Sequence, residues 1–172
     1  DEAISNIVNN ELFAQTESRY RDFVYDNYLA VPENSDIEYI KNTFASRLPR
    51  YDGTNITDIA DGIKNILNES AVYSLSPGKT PSQTDLTYYL LVENHKGYCS
   101  HFATAASMLA RLAGVPSRYV EGYVIVPEDF LDTKQPNGYR INIKDSRSHA
   151  WTEFYIDGYG WIPFEFTPGY NE

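Results

Sequence analysis

Gly97-Tyr98-Cys99-Ser100-His101-Phe102-Ala103, continued by Ala105, Ala106, Met108, Leu109, Leu112 and Ala113, is the strongest helical stretch of the chain. Good helix formers predominate, and the alanines let a sheet approach closely. Gly114 ends the run and Pro116 forbids its continuation. Cys99 therefore falls in the first turn of a helix, just after Gly97, whose permissive backbone suits a sharp entry. Beyond the helix the period switches to two. Arg118 to Val126, Tyr139 to Ile143, His149 to Ile156 and Trp161 to Thr167 read as strands, with Pro127 to Asn137 a loop and Asp157-Gly158-Tyr159-Gly160 a hairpin turn.

Upstream the chain reads as helices. Ile4, Ile7, Val8 and Leu12 recur at helical spacing, followed by Tyr20, Phe23, Val24 and Tyr28, and Pro32 stops that run. Ser35 or Asp36 caps a helix carrying Ile37, Ile40 and Phe44, which ends before Pro49. Asn55 or Thr57 starts another, with Ile59, Ile63, Ile66 and Leu67 on one face. Tyr73 to Leu75 is short and extended, Lys79 to Thr84 is loop, and Asp85 caps a short helix over Thr87 to Glu93. Helices first and an antiparallel sheet second make the fold class α+β, with the Cys99 helix packed on the sheet. The length suits a single domain over residues 1–172, with a helical part (1–70) and a core (71–172) that carries the chemistry.

The formal net charge of −10 repels phosphate backbones, so nucleic acid is excluded as a natural partner. No apolar stretch approaches the length of a membrane span, and no signal peptide is visible. The abrupt start at Asp1 reads as a piece of a longer protein. Fifteen tyrosines supply rings with polar tips, suited to a half-wet surface or groove.

One cysteine rules out an internal disulfide and makes Cys99 a candidate nucleophile. The first turn of a helix offers unpaired N–H groups and partial positive charge, which favour a thiolate and can receive an oxyanion. The base must come from another segment. His95 lies in a polar stretch, and His101, two residues from Cys99 on one helix, cannot face it. His149, opening a strand, is the best base. An imidazole needs an orienting acceptor. Glu153, four residues along the same strand, is about 13 Å away, and Asp157 is farther. Glu165 returns toward His149 on the next strand. Strand parity puts the two on one side only if the hairpin has an odd loop count or a bulge. With Asp157 opposite Tyr159, Glu165 opposes Trp151 and lies diagonal to His149, at roughly 7–8 Å, within reach of a long side chain.

Four blocks carry a family resemblance: Gly97 to Ala103; Ala110-Arg111-Leu112-Ala113-Gly114-Val115-Pro116-Ser117-Arg118-Tyr119-Val120-Glu121-Gly122-Tyr123; His149-Ala150-Trp151-Thr152-Glu153; and Gly160-Trp161-Ile162-Pro163-Phe164-Glu165-Phe166-Thr167-Pro168. In this order, across Gly97 to Gly169, they resemble the transglutaminase-like core more than papain-like proteases proper. The resemblance implies a papain-like α+β fold and a Cys-His-acid triad on Cys99, His149 and Glu165, with Glu where the family usually has Asp. It implies cysteine-dependent acyl transfer on protein or peptide amides through a thioester, as peptidase, deamidase or transglutaminase, with no cofactor and no metal. Tyr98, His101, Trp151 and Trp161 are the candidate substrate-binding residues, His101 orienting the loop or lining the cleft and the tryptophans walling the cleft or packing in the core. Arg118 reads as a structural ion pair. Phe23-Val24-Tyr25-Asp26-Asn27-Tyr28-Leu29 and Tyr73-Ser74-Leu75-Ser76-Pro77-Gly78 resemble members at the extracellular face of bacterial membranes, tethered to transmembrane segments. Two rival readings exist: a binding module whose triad has decayed, which the usable residues at all three positions oppose, and a metal site on Cys99, His101, His149 and a carboxylate, for which Cys-x-His is poor spacing.

Overall fold

A computed structural model describes residues 11–131 and 134–170. Ile4, Ile7 and Val8 lie outside these residues. From Glu11 the chain forms one helix, α1 (Glu11–Tyr28), that ends four residues before Pro32. It is followed by α2 (Ser35–Thr43) and α3 (Ile56–Ser70). The cap of α2 is Asn34, one residue earlier than expected, whose Oδ1 accepts from Ile37 N–H at 2.9 Å. Ile37, Ile40, Ile59, Ile63, Ile66 and Leu67 are all buried, as their spacing requires. In α1, by contrast, only Val24 is buried, and Tyr20 and Phe23 remain largely exposed.

A two-residue strand β1 (Val72–Tyr73) pairs in parallel with β2 (Lys96–Gly97), directly ahead of the cysteine. Between them Asp85 caps a single turn, α4 (Leu86–Tyr88), by accepting from the backbone of Thr87 and Tyr88. The helix continues as a π turn over Tyr89–Asn94, which periodicity does not foretell. Then comes α5 (Cys99–Ala113), whose face of Phe102, Ala105, Ala106, Leu109 and Ala110 is fully buried. Gly114 takes the left-handed conformation (φ +97°), and Val115 N–H returns to the Ala110 carbonyl, closing the helix.

The main sheet has three antiparallel strands in the order β3 (Ser117–Tyr123), β6 (Ser148–Ile156), β7 (Gly160–Phe164). Two short strands, β4 (Lys134–Gln135) and β5 (Gly138–Tyr139), form a separate hairpin. The strand expected over Tyr139 to Ile143 does not form beyond Tyr139: these residues are largely exposed, and alternation alone cannot hold a strand that no neighbour pairs. The central helix lies on β6, where Thr152 Oγ1 donates to the Ala103 carbonyl at 2.9 Å and Phe154 stacks on Phe164 in the core. The fold is α+β, with the Cys99 helix packed on an antiparallel sheet, as the order of helices and strands requires. Arg111 ties the helical part to it, donating to Ser117 O at 3.1 and 2.9 Å and to Ala30 O at 2.8 Å.

Candidate functional site

The start of α5 is built by local chemistry. Tyr98 is its cap residue with extended backbone, and Cys99 is the first helical residue. As the first two helical residues, Cys99 and Ser100 have N–H groups without a partner in the ladder of the helix. His101 occupies the third position, where a capping box usually has Glu or Gln, and its Nδ1 accepts from Tyr98 N–H at 3.5 Å. The rings of Tyr98 and His101 meet edge to face at 4.4 Å. Gly97 serves this turn by close approach: its φ is not positive, and a Cβ there would stand 2.7 Å from His101 Cβ and 2.8 Å from Leu90 Cδ1. The flexible entry expected of Gly97 is thus replaced by a need for space.

His101 is buried, and burial lowers its pKa. It does not line the cleft. As a neutral ring with the proton on Nε2 it holds the turn that presents Cys99. The unfolded chain protonates this histidine at about pH 6.5, before the folded one does. Its contribution to stability is therefore complete above that pH and falls as the pH drops below it. Between about pH 7.5 and about pH 5, the melting temperature of the wild type is expected to fall more than that of His101→Gln, which keeps an acceptor without a titrating group; parallel falls would contradict this.

His149 enters from β6 and is buried, with 4% of its side chain exposed. The β6–β7 hairpin pairs Ile156 with Gly160 and Thr152 with Phe164, leaving the three residues 157–159 in the loop, the odd count that parity demands. Extended by one residue, the same register sets Glu165 beside Trp151 and diagonal to His149. Glu165 Oε2 lies 2.5 Å from His149 Nε2, and Glu165 Oε1 accepts from Thr167 N–H at 2.7 Å. Both carboxylate oxygens are thus fixed, and Nδ1 is the ring nitrogen that Glu165 leaves for a thiol. Cys99 and His149 line one cleft of about 750 Å³. Its walls carry the rings of Tyr73, Tyr98, Tyr119 and Tyr123 and the carboxylate of Glu121. The Tyr119 phenol donates to Glu121, and burial together with that hydrogen bond raises its pKa.

The other predicted residues fall differently. Tyr98 is in the cleft wall. Trp151 is half-buried beside it, pressed against Gly122, where a Cβ would come within 2.8 Å of the indole, and its Nε1 donates to Glu153 at 3.3 Å. Trp161 is not in the cleft: it sits opposite Tyr155 at the far end of the sheet, donates to Tyr20 Oη at 2.7 Å and packs on Tyr28. Arg118 pairs with Glu153 at 2.6 Å and lies over the Trp161 ring. Sequence reasoning missed Tyr73, Tyr119, Glu121 and Tyr123 as cleft residues. The alternation of Tyr119, Glu121 and Tyr123 on one strand was the available signal. Among the described residues no three His, Cys, Asp or Glu side chains gather as a metal cage requires.

Comparison with known proteins adds the lineage. The model of the family described as "Transglutaminase-like superfamily" matches residues 42–166. An uncharacterized Bacillus subtilis protein, YebA, is 29% identical over 148 residues, which are 85% of this chain and 19% of that protein. A Pseudomonas aeruginosa protein named protein-glutamine gamma-glutamyltransferase is 28% identical over 104 residues, 60% of this chain and 14% of its own length. The crystal structure of the periplasmic domain of TgpA from Pseudomonas aeruginosa superposes with a TM-score of 0.61 at 20% identity, covering 84% of this chain and 46% of that one. The chain thus spans a fifth or less of these two sequence relatives.

Proposed function

We propose, from the premise that this chain belongs to the transglutaminase-like superfamily, that it catalyses acyl transfer on protein or peptide amides with Cys99 as nucleophile, His149 as proton carrier and Glu165 as the group that orients His149. The observation that carries this reading is the 2.5 Å contact of Glu165 with His149 Nε2 at the edge of a cleft that Cys99 shares. Such a contact holds the imidazole in one tautomer and leaves Nδ1 to take the thiol proton.

In the proposed reaction the Cys99 sulfur adds to the amide carbonyl carbon while His149 holds the thiol proton. The developing oxyanion is received by N–H groups at the start of α5. The C–N bond breaks, the amine leaves with the proton from His149, and a thioester remains. Water or a primary amine then attacks the thioester, His149 takes the proton of the incoming group, and the sulfur is regenerated with that proton. Water yields a carboxylic acid and an amine yields a new amide. The name of the Pseudomonas aeruginosa relative favours glutamine side chains as acyl donors.

The structural likeness to a periplasmic domain supports placement at the outer face of a bacterial membrane, with tethering segments outside this chain. Among the described residues no helix is long and apolar enough to cross a membrane. The test of the reaction is mass spectrometry of glutamine-containing peptides incubated with the protein, with and without a primary amine. Cleavage, deamidation or amine incorporation supports the reading; peptides unchanged by freshly reduced protein contradict it.

A further inference from the structure

Tyr170 is the residue that the mechanism above does not use and that touches its central group. Its ring lies parallel to the His149 imidazole, with centroids 3.8 Å apart and planes 5° apart. Its position follows from the segment that supplies Glu165. The Glu165 carboxylate accepts from Thr167 N–H, Gly169 adopts the left-handed conformation (φ +76°), and Tyr170 N–H returns to Thr167 O at 3.3 Å. One turn of six residues thus delivers a carboxylate to the edge of the imidazole and an aromatic face over its plane. His149 is buried while Tyr170 is 45% exposed, so the tyrosine ring stands between the imidazole and solvent.

We propose that Tyr170 is a positioning residue that selects the charged form of His149, its ring acting as a π-face for the imidazolium of a thiolate–imidazolium pair. The inference rests on the acyl-transfer reading of the same site. An aromatic face is negative at its centre and attracts a cation, the more so when water is excluded. Neutral imidazole gains much less from the same stacking, so the ring favours the protonated state. The titratable and charged groups around the pair come from every element packed there: Cys99 from α5 and Tyr98 ahead of it, Tyr73 from β1, Tyr119, Glu121 and Tyr123 from β3, Arg147 just ahead of β6, and Glu165 from the same turn as Tyr170. Burial, Glu165 and Cys99 hold the Tyr170 phenol above its usual range, so its ring stays neutral while the pair titrates.

The experiment follows alkylation of Cys99 by iodoacetamide across pH, a readout that needs no substrate. In the wild type the rate profile is expected to show the pair, with an alkaline inflection where His149 loses its proton and an altered profile in His149→Ala. In Tyr170→Leu, which retains apolar cover without a π-face, that inflection is expected about 0.5–1 pH unit lower, the size that loss of an aromatic neighbour by a cation implies. Tyr170→Phe is expected to restore it. An unmoved inflection in Tyr170→Leu, with a wild-type profile that depends on His149, overturns the role of Tyr170 and leaves the acyl-transfer reading standing. A wild-type profile identical to that of His149→Ala overturns both. A melting temperature measured on each variant separates a loss of fold from a loss of the pair.

Discussion

Cys99→Ala is expected to abolish amide turnover and thiol labelling together while leaving the fold intact. Removing the nucleophile of a coupled catalytic set costs up to about 10⁶-fold in turnover, which here means no product above the uncatalysed background. Stability should change by less than about 1 kcal/mol, because the side chain is half-exposed in the first turn of α5 and alanine is a better helix former. His149→Ala should keep the thiol but lose its proton carrier, for a decrease of about 10²- to 10⁴-fold. Peptide turnover by mass spectrometry, run beside iodoacetamide labelling and a melting curve, reads all three quantities. Turnover that survives undiminished in Cys99→Ala would remove the cysteine from the mechanism.

The second large effect is expected at Glu165, and Gln is the more telling replacement. Glu165 Oε2 sits 2.5 Å from Nε2 of His149 and, as a carboxylate, accepts the hydrogen bond of its N–H. The amide of Gln can offer either an oxygen or an N–H₂. When it turns the N–H₂ toward Nε2, the imidazole proton moves to Nδ1, and the nitrogen needed for the thiol becomes a donor. In Ser-His-Asp enzymes the equivalent change of tautomer lowers turnover by about 10⁴-fold, and a loss of about 10²- to 10⁴-fold is expected for Glu165→Gln. Glu165→Asp should also be impaired, although Asp is the residue the resemblance would supply. The β6–β7 register sets position 165 diagonal to His149, and the shorter arm falls short of a contact that Glu spans. Activity of Glu165→Asp equal to the wild type would show that reach does not limit this pair.

Much of the site could be read in the sequence because its parts are governed by local rules. The alanine-rich run after Gly97, closed by Gly114 and Pro116, placed Cys99 at the helix start, where it lies. Glu165 follows from the returning strand, and side-chain alternation makes its place beside His149 conditional on an odd loop or a bulge; the three-residue loop supplies that condition. What could not be read depends on distant partners. Tyr139 to Ile143 alternates like a strand, yet only Gly138–Tyr139 finds a neighbour. His101 has a polar identity and a cleft-like position in the chain, but whether it points to Tyr98 N–H or to solvent is decided by the close packing of Gly97 and Leu90. Trp161 lies in a block that resembles the family's and still packs away from the cleft, held by Tyr20 and Tyr28 of a helix more than a hundred residues earlier. Tyr170 follows the final block, and nothing in its spacing announces that the chain doubles back there to stack on His149.

The three-residue corner between β6 and β7 imposes a rule on descent. Insert or delete a single residue between Asp157 and Tyr159 without a compensating bulge, and every side chain of the returning strand changes sides. Glu165 would then trade places with a phenylalanine neighbour: Phe164 or Phe166 would confront the imidazole, and a carboxylate would be driven into the aromatic stack under the central helix. Length drift at this corner can survive only in pairs, so this short, exposed connection works as a ratchet with a step of two.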